Sequence, residues 1–121
     1  MGSNDFTLEW SKLLFLTTNE VENSNIKDVE GVYRISKKET DGKFYVVYVG
    51  STMDLETELK KIISGDDVAF TKQGGEFSFR YAPLKGDDVR KGVEKLMYKY
   101  YAPVNNVEEP VSTLIINTNL N

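Results

Sequence analysis

The side chains able to do chemistry in this chain are carboxylates, tyrosines, lysines and arginines, because its 121 residues include no histidine and no cysteine. The lack of histidine excludes a Ser-His-Asp triad, a histidine general base and a histidine-ligated metal. The lack of cysteine excludes a thiol nucleophile, a disulfide framework and an iron–sulfur cluster. A protein-bound metal would have oxygen ligands, which Mg²⁺ and Mn²⁺ prefer, and we expect no zinc, haem or iron–sulfur centre.

Three short features could carry such oxygen-based chemistry. The tripeptide Gly-Val-Tyr at 31–33 opens a predicted strand, and Tyr-Val-Gly at 48–50 ends the next one. Glu94 lies on a predicted helix, one position away from its apolar stripe. A tyrosine hydroxyl has an ordinary pKa of about 10, so it acts as a base only near positive charge.

Each feature also has a purely structural interpretation. Tyrosine is common in strands because it packs well on a pleated sheet. Gly50 can act as a hinge between a strand and a helix. Glu94 follows Arg90 by four residues, a spacing typical of a surface ion pair along a helix. Each feature alone is weak evidence of function, and the order of the three along the chain is more informative.

Taken in order, the features resemble the GIY-YIG nuclease superfamily, which is named after its two tripeptides. Here the tripeptides are separated by residues 34–47, and a helix, a third strand and a glutamate-bearing helix follow in the family's order. Glu94 is followed by apolar residues and then by Pro103 and Asn106. The resemblance covers about 31–106 and implies an α+β fold, with a small antiparallel three-stranded sheet flanked by helices.

The resemblance implies a divalent-metal-dependent endonuclease that hydrolyses DNA phosphodiester bonds. Glu94 would be the only protein ligand of Mg²⁺ or Mn²⁺, which keep most of their waters. Tyr33 would help to deprotonate the attacking water, and Tyr48 would orient the nucleophile or the phosphate. The remaining motif residues of the implied site are Gly31, Gly50 and Asn106.

One residue departs from the family pattern. Active members carry an arginine eight residues after the second motif's glycine, and this position is Glu58 here. Losing one donor to a developing charge costs roughly a hundred- to a thousandfold in rate, and an acid adds repulsion. Lys61, one turn further along the helix, is the predicted replacement for substrate binding. Two alternatives stay open, an active endonuclease and a catalytically degenerate copy used as a binding or regulatory module.

The overall charge bears on partners and location. Fifteen basic residues against nineteen acidic ones give a net charge of -4, and the isoelectric point is about 4.9. This balance disfavours DNA as a partner without excluding it, and a protein partner or a homo-oligomer stays open. No apolar run approaches the roughly 18 residues of a membrane helix, and no signal peptide is visible. We therefore expect a cytoplasmic protein without a membrane partner.

The elements that must position these residues can be predicted in part. We expect an N-terminal extension over 1–30 that packs on the domain, the GIY-YIG-like domain over 31–106 and a C-terminal tail over 107–121. Residues 7–17 are apolar and fit either a strand or a short helix. The segment 111–116 fits a strand or an extended packing arm, and as an open edge it could pair with another chain.

Within the domain, Asp41-Gly42 predicts a turn that joins strands 31–36 and 43–49 into an antiparallel hairpin. Alternating apolar residues predict a half-buried strand over 76–82. The first predicted helix runs from an N-cap at Asp54 to a stop at Gly65. The second covers about 88–101 and follows a cap at Asp87 or Asp88.

Overall fold

The predicted hairpin forms the centre of the main sheet in the computed structural model, which describes residues 4–66 and 68–121. The strands are β1 (Asn4–Asp5), β2 (Leu14–Phe15), β3 (Gly31–Lys38), β4 (Phe44–Thr52), β5 (Phe77–Pro83) and β6 (Ile116–Asn117). The helices are α1 (Thr18–Asn23), α2 (Leu55–Ser64) and α3 (Asp87–Tyr101), with a 3-10 turn at Phe70–Gln73. The hairpin turn is confirmed, and Gly42 takes the left-handed φ of 83° that it requires.

The main sheet has four antiparallel strands in the order β2-β5-β3-β4, so the expectation of three strands is wrong. The additional strand is β2, which pairs Leu14 with Phe79 and Phe15 with Ser78. Two residues are too few to show the alternation that separates a strand from a helix. The free edge of β5 decides the outcome, because it offers backbone partners to the preceding apolar segment.

Strand β3 is the central strand and separates two apolar cores. Its first six residues are buried, and successive side chains point to opposite faces. The first core lies between the sheet and α1 with α2, and includes Val21, Tyr33, Ile35, Leu59, Ile62 and Phe79. The second core lies under α3, and includes Leu8, Val32, Val49, Ala82, Val93 and Met97.

Helix α2 begins and ends where the sequence predicts. Asp54 is the N-cap, and its carboxylate accepts from Thr57 N at 3.3 Å and from Thr57 Oγ1 at 2.8 Å. Gly65 closes the helix with a left-handed φ of 80° and donates to the carbonyls of Lys61 and Ile62. Among the described residues, no helix has the length and the hydrophobicity needed to cross a membrane.

Helix α3 begins at Asp87, and its N-cap is Gly86, so the expected aspartate cap is wrong. Glu30, in the segment before β3, takes over part of the capping by accepting from Gly86 N at 2.8 Å. Arg90 is only 4% exposed and pairs with Glu30 and Asp87. The ion pair of Arg90 with Glu94 that the sequence suggested is therefore absent among the described contacts.

The C-terminal tail returns across the sheet to the N-terminal segment. Residues 111–115, expected as a strand or an extended arm, are in no strand, and only Ile116 and Asn117 pair, in parallel with Asn4 and Asp5. Gly92 of α3 allows this approach, since a Cβ there would lie 2.6 Å from the Ile116 side chain. The tail is thus fixed on α3 and β1.

The last residues, 116–121, form a strap that covers a buried cation. Arg34 points to the opposite face from Tyr33 and is 4% exposed. Its guanidinium lies 4.5 Å from the centre of the Trp10 ring and 5.2 Å from that of Tyr101, and it donates to the carbonyl of Leu120. Cation–π contacts and a backbone acceptor stabilise this charge in place of a carboxylate.

We predict that Asp54→Ala lowers the free energy of unfolding by about 1–2 kcal/mol, because α2 loses its cap. The loss includes the bond that Asp54 accepts from Asp28 N at 3.0 Å. Urea denaturation followed by the fluorescence of Trp10, the single tryptophan, measures it. Asp54→Asn keeps an acceptor oxygen and should lose much less; equal losses in the two variants would contradict the capping role.

Candidate functional site

Tyr33 and Tyr48 project from adjacent strands onto the same face of the sheet. Their ring centres lie 6.3 Å apart with planes inclined by 30°. Gly50 lies directly opposite Tyr33 across the β3–β4 pair, and a Cβ at position 50 would lie 2.3 Å from Tyr33 Oη. A glycine is required here because the tyrosine ring crosses the position that a side chain would fill.

Close packing also explains why the other motif glycine, Gly31, has no side chain. A Cβ at Gly31 would lie 2.4 Å from the carbonyl oxygen of Ala82 on β5. Gly31 is therefore fixed by the close approach of two backbones and presents no functional group to the site. Gly50 therefore makes room for Tyr33, and Gly31 allows β3 to lie close to β5.

Tyr33 is hydrogen-bonded to the residue that departs from the family pattern. Its hydroxyl donates to Glu58 Oε2 at 2.8 Å, and the residue is only 1% exposed. Burial raises the pKa of Tyr33 well above its ordinary value, and the negative charge of Glu58 raises it further, with smaller effects from Tyr48 and Glu94. Tyr33 is therefore a neutral phenol that donates a hydrogen bond at neutral pH.

Glu94 reaches the same region from α3. Its side chain is 12% exposed, and Oε1 accepts from Ser51 Oγ at 2.6 Å. The ammonium group of Lys91 lies 3.5 Å from the same oxygen. Since Ser51 follows the second tripeptide directly, the strand end and the helix are tied together through this carboxylate.

Tyr48, Glu94 and Asn106 line one cleft of about 590 Å³, together with Lys91. The outer wall of the cleft is residues 106–111, which we call the acidic loop because it contains Glu108 and Glu109. Tyr33 does not line the cleft itself, and its ring stacks against that of Tyr48. Lys61 is exposed on α2 and does not line this cleft.

The side chain of Asn106 is used by the backbone of β4. Its Oδ1 accepts from Val49 N at 2.9 Å, and its Nδ2 donates to Val49 O at 2.9 Å. The neighbouring Asn105 N donates to Val47 O at 2.9 Å. These bonds cover the outer edge of the sheet and hold the acidic loop at the cleft.

The sequence did not point to Ser51, Lys91 or the acidic loop as parts of the site. The spacing of Lys91 and Glu94, three residues along a helix, was a usable signal for their contact. Ser51 had only its place next to Gly50 as a signal. No sequence signal pointed to Glu108 and Glu109, because the path of the tail over the cleft depends on contacts with residues far away in sequence.

Glu94 is a carboxylate of the cleft that could bind a hard divalent cation. Its Oε2 makes no hydrogen bond to a described residue, and a single carboxylate suits Mg²⁺, which keeps several waters. No group of three or more acidic side chains that could hold a metal occurs in the described part of the chain. A cation here would therefore depend on Glu94 and on solvent.

The fold is GIY-YIG-like, as comparison with solved structures shows. The chain is similar to the GIY-YIG N-terminal endonuclease domain of UvrC from Thermotoga maritima, in point mutants bound to its catalytic divalent cation. Two of these structures, a tyrosine-to-phenylalanine mutant and an asparagine-to-alanine mutant, are each 16% identical to this chain. Each match has a TM-score of 0.54 and covers 73% of this chain and 96% of the UvrC domain. No family model matches the sequence, and no curated protein is similar enough to count as a relative.

We predict that stability at alkaline pH depends on Tyr33. A tyrosine in the unfolded chain ionises near pH 10, whereas buried Tyr33 keeps its proton to higher pH. Above about pH 10 the unfolded state therefore binds fewer protons, and the free energy of unfolding falls by up to about 1.4 kcal/mol per pH unit from this residue.

Urea denaturation from neutral to strongly alkaline pH measures the effect in the wild type and in Tyr33→Phe. The fall should be shallower in Tyr33→Phe, which has no phenol to ionise. Tyr100→Phe, at a position 68% exposed, is the matched control and should behave as the wild type. Parallel curves for the wild type and Tyr33→Phe would contradict the effect.

Proposed function

We propose that this chain is a catalytically degenerate module with a GIY-YIG-like fold, which binds or regulates a partner and does not cleave DNA efficiently. The observation that carries the proposal is the hydrogen bond of 2.8 Å from Tyr33 Oη to Glu58 Oε2. A carboxylate can only accept hydrogen bonds, so the phenol hydroxyl is the hydrogen-bond donor in this pair and keeps its proton. Tyr33 is thereby held as a neutral donor, whereas hydrolysis would require it to take a proton from water.

The charge of Glu58 acts in the same direction as the hydrogen bond. At about 6 Å and an effective dielectric constant near 20, two unit charges interact by about 3 kcal/mol. Replacing a cation with an acid beside a phosphate therefore changes the interaction by about 5–6 kcal/mol. This is comparable with, or larger than, the effect of removing one donor to the developing charge.

Metal-dependent endonuclease activity is the second candidate, and one contact favours it. Lys91 lies in the cleft with Tyr48 and 3.5 Å from Glu94, where it could contact a phosphate in place of the missing arginine. Mg²⁺ or Mn²⁺ bound to Glu94 would supply positive charge to a phosphodiester of DNA. Tyr48 would orient that phosphate. Lysine is a weaker phosphate clamp than arginine, which is why this candidate ranks second.

We predict that the purified chain does not nick supercoiled plasmid or branched DNA in Mg²⁺ or Mn²⁺. Agarose and denaturing gels measure the cleavage, and Glu94→Ala is the matched control because it removes the carboxylate that would hold the cation. Nicking by the wild type that disappears in Glu94→Ala would overturn the degenerate module and establish the endonuclease.

We also predict that Glu58→Arg raises DNA affinity and produces metal-dependent nicking at least about a hundredfold above the wild type. Glu58→Gln removes the charge without adding a cation, so it should gain much less. Circular dichroism checks that both variants fold, since each alters the partner of Tyr33. If neither variant changes DNA affinity or cleavage, Glu58 is not what disables the site.

A further inference from the structure

We propose that the cleft beside Glu94 binds a short segment of a partner protein that carries lysine or arginine next to aliphatic side chains. This inference rests on the proposed binding function and names its partner. The cleft takes such a segment because the acidic loop presents two carboxylates between two aliphatic side chains. Val107 and Val111 flank Glu108 and Glu109 in the lining of the cleft.

The aliphatic part of the surface is open to solvent. Val107 is 92% exposed and Val111 is 86% exposed, so two branched side chains of the cleft lining are in contact with water. Single exposed aliphatic residues are ordinary, but a group of them beside a concave surface is typical of an interaction site. Val68 continues the apolar lining from the other side of the cleft.

The charged part of the surface selects the sign of the partner's charge. Three carboxylates, Glu94, Glu108 and Glu109, line the cleft against one ammonium group, that of Lys91. Lys91 is already engaged by Glu94, whereas Glu108 and Glu109 form no ion pair with a described residue. The excess of negative charge attracts a basic segment and repels the phosphates of a nucleic acid.

The acidic loop is held in place before any partner arrives. Pro103 and Pro110, near its two ends, are buried, and proline fixes the backbone angle φ. Between them, Asn105 and Asn106 bond to the edge of β4 through Val47 and Val49. A wall that is already ordered loses little entropy on binding, which favours affinity for a short segment.

The test measures binding of a fluorescein-labelled peptide of valine, alanine and lysine to the full chain by fluorescence anisotropy. A matched peptide has glutamate in place of each lysine. We expect the lysine peptide to bind at least about tenfold more tightly at low salt, with a smaller difference at high salt as the charges are screened. Equal binding of the two peptides would overturn the inference.

Two double variants locate the binding surface. Glu108→Lys with Glu109→Lys should weaken binding of the lysine peptide by about tenfold or more. Glu9→Lys with Glu39→Lys makes the same change in net charge at exposed positions outside the cleft, and should leave the affinity within about twofold. Equal losses would mean that net charge alone is responsible and would overturn the inference.

A third double variant, Val107→Ser with Val111→Ser, tests the aliphatic contribution without changing charge. It should also weaken binding of the lysine peptide. An unchanged affinity would overturn the inference that the site recognises aliphatic as well as basic side chains. A single-stranded oligonucleotide that displaces the peptide from the wild type would show that the cleft takes nucleic acid instead, and would overturn the inference as well.

The result is separable from that of the proposed function. If no DNA is nicked and the lysine peptide still fails to bind, the degenerate module stands and only the partner class is overturned. If DNA is nicked in a manner that requires Glu94, the proposed function fails whatever the peptide does.

Discussion

Strand β3 is buried on both faces, and its two largest buried polar side chains have polar ends that need partners inside the protein. Tyr33 points to one core and Arg34 to the other, and each is less than 5% exposed. An unpaired buried donor costs about 1–3 kcal/mol, and a charged one costs more. The structure meets these needs with Glu58 on one face and with the strap 116–121 on the other. Much of the fold around the sheet follows from these two partners.

On the face of Tyr33, the same requirement shapes the site. Gly50 leaves the space that the ring crosses, and Glu58 accepts a hydrogen bond from its hydroxyl. The bond satisfies the phenol, and it also keeps the carboxylate of Glu58 beside Tyr33. The interaction that satisfies Tyr33 in the core is therefore also the one on which the proposed loss of catalysis rests.

The parts of the fold that could be predicted are those with strong local signals. The Asp41-Gly42 turn fixes the hairpin, and Asp54 and Gly65 fix the ends of α2, because capping and left-handed φ depend on one or two residues. Strand β2 and the cap of α3 could not be predicted. Both depend on partners elsewhere in the chain: the edge of β5 for the strand, and Glu30 for the helix start.

The sequence by itself limited the available chemistry to carboxylates, tyrosines, lysines and arginines, because it contains no histidine and no cysteine. The order of its two tripeptides and Glu94 also resembled the fold that the comparison with solved structures supports. The sequence also has an acid, Glu58, at the position where the resemblance implies an arginine. Only the tertiary structure decided that Glu58 bonds to Tyr33, that Lys91 rather than Lys61 lies beside Glu94, and that the acidic loop walls the cleft. Side-chain direction and the course of the tail depend on packing between distant segments, and no local pattern encodes that packing.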